Sequence, residues 1–412
     1  MAEPLVVLIA ARDEEARIGQ TVEALHAAFP EAEIVVADDG SRDSTAAVAR
    51  RAGARVVRLP RLGKGQALTL AEREAPQGAL LLCDADLEGD LAPLLDGADL
   101  TIATFTERQG GGFGIAKRTA RALVRGLSGF DAREPLSGQR GLSPAAREAC
   151  FPLAPGFGCE VRMTIDAVRA GLRVEERELP LRHRATGRDA GGFAHRGRQL
   201  LDAVLACGPT AINYRGLRLA LVGALVALGG GKAPTRVRVG VAAVALLGLA
   251  DDLWSGPERG FRAHLAKGST TGVAKAVGIP LVALATTRSL RKATLVALAA
   301  NVLNQLDTRP GRALKVFVAG AALVGGPAKS YVPIAVLLAP YDLREMTMLG
   351  DAGANALGAL LGYGSVGKLT ARGQLFAIAA LAGLTIAGEA RSLGELIERT
   401  PVLSRLDRLA RA

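Results

Sequence analysis

Hydrophobic positions follow one rule in the first half of this chain and another in the second. Short apolar runs at Leu5–Ala11, Glu33–Ala37 and Arg55–Leu59 are separated by polar stretches, and Leu80-Leu81-Leu82-Cys83 repeats the pattern before Asp84-Ala85-Asp86. Runs this short, bounded by glycine or acids, predict strands buried on both faces. Between them Ile18, Val22 and Leu25 recur at helical spacing after Arg12-Asp13-Glu14-Glu15, and another helix follows Leu62-Gly63-Lys64-Gly65 as far as Glu72. Ser41-Arg42-Asp43-Ser44-Thr45 offers N-capping side chains to the intervening helix. Strands alternating with helices predict a doubly wound, mostly parallel α/β sheet.

Near Asn213-Tyr214 the pattern changes. Charge-poor runs follow at 219–231, 239–250, 276–287, 293–306, 316–328, 330–341, 352–367 and 373–388. Each is shorter than the ~20 residues that span a bilayer, but flanking Lys and Arg could snorkel to the interface. Small residues throughout would let such helices pack closely. The reading is an all-α polytopic membrane domain over 209–412, after an α/β domain over 1–208. A soluble Ala/Leu/Gly bundle is the competing reading of the second half.

Composition sharpens this picture only in part. The 412 residues are 49% hydrophobic and only 4% aromatic, with a formal net charge of +11. Such a charge suits an anionic membrane surface or nucleic acid. No basic stripe interleaved with aromatics is present, which argues against nucleic acid. Cys83, Cys150, Cys159 and Cys207 show neither CxxC nor scaffold spacing and read as reduced thiols. The N-terminus reaches Glu3 and Pro4 without a signal peptide's pattern. A homo-oligomer stays open.

Candidate chemistry collects where the predicted strands end, which is where open α/β sheets bind ligands. Asp84 and Asp86 close the central apolar run, and a chain turning off the strand can bring both acids to one hard cation bridging a diphosphate. Ala11, Asp13 and Glu14 follow the first strand, and Asp38 and Asp39 the second. Acids there can accept hydrogen bonds from a base and a ribose hydroxyl. A turn plus a helix cap is the other reading of Asp38-Asp39-Gly40-Ser41. Lys64, between Gly63 and Gly65, can bring a cation and backbone amides to phosphates, although this is not a Walker loop.

Taken together, Ala11-Arg12-Asp13-Glu14, Asp38-Asp39-Gly40-Ser41, Gly63-Lys64-Gly65 and Asp84-Ala85-Asp86 resemble the family 2 glycosyltransferases of GT-A fold, over Val6 to about Leu205. Within that family the dolichol-phosphate-mannose and glucosyl-phosphoglycerate synthases look most similar. The resemblance implies that the early acids hold the uridine or guanosine of a nucleotide-sugar. It implies that Asp84 and Asp86 hold Mg²⁺ or Mn²⁺, with His183 as a third ligand. It puts Arg140, in Glu134-Pro135-Leu136-Ser137-Gly138-Gln139-Arg140-Gly141, on the acceptor side, and Glu160 against acceptor or donor sugar. A helix N-terminal acid is the plain alternative for Glu160, and a surface residue for His183. Thr186–Asp189 and His195–Arg198 suit a lid over phosphates or a basic juxtamembrane segment.

The second half resembles the polyprenyl-phosphate sugar-1-phosphate transferases in Asp251-Asp252, in Asn301-x-x-Asn304-x-x-Asp307 and in Gly350-Asp351-Ala352-Gly353. That resemblance implies a polyprenyl-phosphate site with Mg²⁺ at Asp307. It departs from the family at Thr308-Arg309-Pro310-Gly311, and no His-rich loop follows. Acids at the ends of apolar helices are costly unless paired, so either Mg²⁺ or bases such as Arg309, Arg312 and Lys315 should lie among them.

The whole reading is a nucleotide-sugar glycosyltransferase of a bacterial-type inner membrane, with its GT-A domain on the cytoplasmic side and a polyprenyl-phosphate or lipid-linked acceptor. The membrane half is either a second, sugar-phosphate-transferring catalyst or an anchor and lipid-binding module. A nucleotidyltransferase reading of the first half lacks the Gly-rich basic signature expected after the first strand.

Overall fold

The computed structural model describes residues 4–86, 89–105, 114–180, 190–254 and 270–409. The chain forms two compact units, Met1–Gly208 with Arg215–Arg218, and Pro209–Tyr214 with Leu219–Ala412.

The first unit alternates strands and helices: β1 (Leu5–Ala11), α1 (Ile18–Ala28), β2 (Glu33–Asp39), α2 (Thr45–Arg51), β3 (Arg55–Leu59), α3 (Lys64–Glu72), β4 (Ala79–Asp84) and β5 (Leu100–Phe105). Then come α4 (Ile115–Ser128), β6 (Arg140–Leu142), α5 (Pro144–Cys150), α6 (Cys159–Arg169), β7 (Val174–Leu179) and α7 (Ala190–Cys207). The strands lie in the order β3-β2-β1-β4-β6-β5-β7, with β6 antiparallel to both neighbours. This is the mostly parallel α/β sheet expected of the first half.

Side chains alternate across a strand, so each apolar run feeds two cores. Val6, Leu8, Val35, Ala37, Leu80 and Leu82 pack against Ala67 and Leu68 of α3 and Met163 of α6. Val7, Ile9, Val36, Leu81 and Cys83 pack on the other face against Ile18, Val22 and Leu25 of α1. Burial on both faces is why these strands read as unbroken apolar runs. Arg215–Arg218 return to this unit: the Arg73 guanidinium donates to the carbonyls of Arg215 (2.7 Å) and Gly216 (2.6 Å), and Arg218 pairs with Asp166.

The second unit is not all-α. Its described strands β8 (Thr210–Ile212), β9 (Arg218–Leu221) and β10 (Thr347–Met348) form a small sheet, so the run at 219–231 is partly strand and partly a 3₁₀ turn at Gly223–Leu228. The described helices are α8 (Thr235–Trp254), α9 (Thr270–Thr287), α10 (Leu290–Leu306), α11 (Arg312–Val324), α12 (Gly326–Ser330) and α13 (Val332–Asp342). They continue as α14 (Gly350–Lys368), α15 (Ala371–Ala390), α16 (Leu393–Arg399) and α17 (Pro401–Arg408). α14 is the buried hub. A Cβ at Gly358 would come within 2.5 Å of the Ala299 carbonyl on α10, so only glycine permits that approach. Among the described residues one helix, α15, is long and apolar enough to cross a membrane, and almost none of it is buried in the protein.

Candidate active site

Strand order reverses between β1 and β4, and there the ends of two adjacent parallel strands diverge and leave a crevice. Register places Asp84 beside Ala10, and Asp38 beside Ala11. Alternation then sorts the acids by face. Asp39 and Asp84 share the face covered by α3 and α6, whereas Asp38 lies on the α1 side.

On the α3 face one lysine ties the site together. Lys64 Nζ, in the first turn of α3, stands 2.8 Å from Asp84 Oδ1 and 2.7 Å from Glu160 Oε1, in the first turn of α6. Burial alone would lower the pKa of this ammonium, but Asp84 and Glu160 outweigh it and hold the group well above the ordinary lysine range. The second oxygen of Asp84 accepts from Gln139 Nε2 at 3.0 Å, and that of Glu160 from Cys159 Sγ at 3.0 Å. Backbone closes the remaining side: a Cβ at Gly138 would lie 2.5 Å from Asp84 Oδ2 and 2.8 Å from Lys64 Nζ. Asp39 Oδ1 accepts the Leu62 amide at 2.6 Å, and both its oxygens lie 3.0 Å from the Gly63 amide. It therefore shapes the loop that presents Lys64. Burial nevertheless raises its pKa, against the lowering effect of those amides.

On the α1 face the loop after β1 is laced to the loop after β2. Asp13 adopts a left-handed backbone (φ 56°), a conformation that aspartate tolerates better than most residues. Its amide donates to Ser41 Oγ (3.0 Å) and its carboxylate accepts the Arg42 amide (2.8 Å). The Glu14 amide donates to Thr45 Oγ1 (2.8 Å), so Thr45 braces this loop and does not cap α2 through its hydroxyl. Asp38 accepts the Ser41 amide at 2.9 Å and stands 3.4 Å from Arg58 Nε. Asp86 lies just beyond β4, half-buried, and forms no hydrogen bond or ion pair among the described residues. Burial first, and then the charge of Asp86, raise the pKa of Glu14. Nearby, the pKa of Arg61 is lowered first by Arg12, then by burial, Arg198 and Arg42. Neighbouring like charges of this kind favour an anion between them.

Several expectations change. Arg140 is fully buried in β6. Its guanidinium donates to the carbonyls of Ser137 (2.8 Å) and Pro135 (3.2 Å) and to Thr164 Oγ1 (2.9 Å), so it braces the loop carrying Gly138 from inside the protein. His195–Arg198 belong to α7. His183 and Thr186–Asp189 lie outside the described residues. Ala11 is buried in β1, so only its backbone end reaches the crevice. Sequence reasoning missed Gln139 as a partner of Asp84, and Arg61. A polar residue inside a short buried strand edge and a cation just before Gly63 were the available signals.

Within the second unit, Asp251, Asp252, Asn301, Asn304, Asp307 and Asp351 all line one cavity of about 1130 Å³. Among the described residues, the cation that pairs with these acids is none of the three expected. It is Lys275 of α9, which pairs with Asp251 (2.6 Å) and with Asp351. Arg312 is bidentate to Asp407 (2.8 and 2.9 Å) and Lys315 reaches the Asp407 carbonyl, while Arg309 borders the cavity but pairs with Glu398 and stacks on Tyr214. Asp252 accepts the amides of Asp351 and Ala352, both at 2.9 Å, and so caps α14.

Whether the crevice fits a divalent ion is a matter of donors. Among the described residues no group of three or more His, Cys, Asp or Glu is placed to hold one. Asp84 and Asp86 supply hard oxygens, and Mg²⁺ is commonly held by one or two carboxylates together with substrate phosphates. The two acids therefore fit an ion that arrives with a diphosphate.

Residues 6–124 match the family Glycosyl transferase family 2. The chain is also similar to Glycosyltransferase AglJ of Haloferax volcanii, 29% identical over 158 residues that make up 34% of this chain and 51% of the relative. It thus spans about half the length of that curated relative. Among solved structures it is similar to glucosyl-3-phosphoglycerate synthase from Mycobacterium tuberculosis in complex with Mn²⁺, uridine-diphosphate and phosphoglyceric acid. The identity there is 27%, covering 50% of this chain and 79% of that one, with a TM-score of 0.43. The same enzyme with Mg²⁺ and uridine-diphosphate matches at 26% identity, covering 50% and 79%, with a TM-score of 0.42. Residues 6–124 carry β1 to β5, so the stretch that matches this family contains Asp13, Asp39, Asp84 and Asp86.

Proposed function

We propose that the first unit transfers a sugar from a uridine or guanosine diphosphate sugar to an acceptor at a membrane, using Mg²⁺ or Mn²⁺. The observation that carries this is the switch point between β1 and β4, where Asp86, beside Asp84, has no hydrogen bond or ion pair among the described residues. The ion, held by these two carboxylates and the diphosphate, would neutralise the charge that develops as the bond from the anomeric carbon to the phosphate oxygen breaks. Arg12, Arg42 and Arg61 surround the same opening with positive charge for the departing nucleoside diphosphate. Glu160, buried in the first turn of α6, faces the same pocket and is positioned to orient the sugar or its acceptor.

The second unit supplies membrane attachment and a binding cavity for a polyprenyl-phosphate or lipid-linked acceptor. α15, with Leu375 and Phe376 well exposed, is the support for attachment. The reading places the chain at a bacterial-type inner membrane with the first unit on the cytoplasmic side. Lys275, standing between Asp251 and Asp351, favours the binding-module reading over a second catalytic centre.

The test is turnover of a panel of nucleotide-sugars by the full chain with polyprenyl phosphate. EDTA should abolish it, Mn²⁺ or Mg²⁺ should restore it, and Asp86→Ala should remove it while the protein still folds. Full activity of Asp86→Ala in EDTA would sink the assignment.

A further inference from the structure

Lys64 cannot serve the donor site in the position it occupies here. Its ammonium lies on Asp84 Oδ1, one of the two carboxylates proposed to receive a divalent ion. An ammonium and a dication held against one oxygen repel each other where water is scarce, so the two compete for Asp84. When the ion arrives, the ammonium has a second carboxylate within reach. The Gly138 backbone blocks retreat on one side, as the short distances to a Cβ there show. Glu160 Oε1, already 2.7 Å away, lies on the other. The carboxylates at both ends are anchored independently of the lysine, Asp84 by Gln139 Nε2 and Glu160 by Cys159 Sγ. Both would therefore keep their orientation through the exchange.

We propose that Lys64 is an exchangeable counter-cation: it neutralises Asp84 while the donor site is empty, and a divalent ion on Asp84 and Asp86 displaces it onto Glu160 alone. Lys64 is then a positioning residue that couples the two ends of the pocket. Donor loading changes the charge environment of Glu160 before an acceptor meets it, so loading precedes productive acceptor binding. The inference rests on the metal reading given above, and concerns how this chain's own residues respond to the ion.

The test is Mn²⁺ affinity, read by electron paramagnetic resonance on the full chain with Mn²⁺ alone. Only the component lost in Asp86→Ala is counted. Lys64→Met removes the competitor and should tighten Mn²⁺ by about tenfold, the effect of one charge interaction worth one pKa unit. Glu160→Gln removes the alternative perch, commits the ammonium to Asp84, and should weaken Mn²⁺ by a similar factor. Opposite signs are the signature, because a merely structural lysine would weaken binding in both variants. Glu160→Gln leaves a neutral Lys64–Asp84 pair, so it decides the question even where Lys64→Met does not fold. Unchanged Mn²⁺ affinity in both variants overturns the counter-cation role while leaving the metal reading intact. No Asp86-dependent Mn²⁺ binding in the wild-type chain overturns the metal reading and this inference together.

Discussion

Each unit holds a lysine between two carboxylates brought from different elements. Lys64 joins Asp84 to Glu160, and Lys275 joins Asp251 to Asp351. The trios are alike in charge and differ in their neighbours. Beside the first, Asp86 has no partner among the described residues. Beside the second, Asp252 caps α14, and Asp342 accepts the Gly311 amide at 2.8 Å. Asp252 and Asp342 are committed to amides at helix ends, whereas the acid next to Asp84 stands at a strand's end without a partner among the described residues. A lysine–dicarboxylate trio therefore says little about chemistry until the next acid is followed to its donor.

The sharpest way to break this contrast is to neutralise that next acid in each unit. Asp86→Asn should cut turnover by two or more orders of magnitude, as loss of a charge-stabilising group does, with little change in melting temperature. Asp252→Asn should do the reverse, costing about 1 kcal/mol of stability through loss of one of the two amide hydrogen bonds to its carboxylate and leaving nucleotide-sugar turnover intact. Kinetics and thermal unfolding of both variants check the pair, and a turnover loss in Asp252→Asn would place the second cavity in the reaction.

Next in size is Lys275→Met, which leaves Asp251 and Asp351 facing each other. Breaking a buried pair in this way costs ~3–5 kcal/mol, measured by unfolding in detergent, while nucleotide affinity stays unchanged. Arg140→Met strands the Ser137 and Pro135 carbonyls and should cost ~2–6 kcal/mol, at about 1–3 kcal/mol for each unsatisfied buried group. An effect on KM that appears without loss of stability would return Arg140 to the binding machinery.

The smallest effect is one of pH. The pKa of Lys64 is held above its unfolded value of ~10.4, so its stabilising contribution is full below about pH 10 and fades as pH rises through the folded value. The difference in melting temperature between wild type and Lys64→Met should be flat from neutral pH and narrow only in the alkaline range. A difference that shrinks between pH 6 and 8 would mean another group carries it.

Much of the first unit was legible because burial on both faces writes itself as an apolar run, and because acids at strand ends stand out against it. β1 and β3, and the acids Asp38, Asp39, Asp84 and Asp86, follow from that alone. β6 did not, since three residues have no period, and Arg140 beside Ser137-Gly138 read as an acceptor-side residue where it stands as a buried brace. The Lys64–Glu160 contact was illegible because the two residues are distant in sequence and meet only when α3 and α6 cover the same face of the sheet. In the second unit the polar motifs gathered as their spacing suggested, but their cation came from Lys275, a lone charge preceding an apolar run. The nearer Arg309, Arg312 and Lys315 were drawn off by Glu398 and Asp407. The two-residue β10 carries too little sequence to predict at all.

The return of Arg215–Arg218 to the first unit bears on how that unit can be isolated. Cutting the chain after Gly208 removes the two carbonyls that receive the Arg73 guanidinium and the arginine that meets Asp166. Cutting after Arg218 keeps all three, at the expense of carrying along the start of β9. A fragment for nucleotide-binding work should therefore end ten residues later than the 1–208 boundary advises, and the shorter fragment should be the one that is clipped by protease.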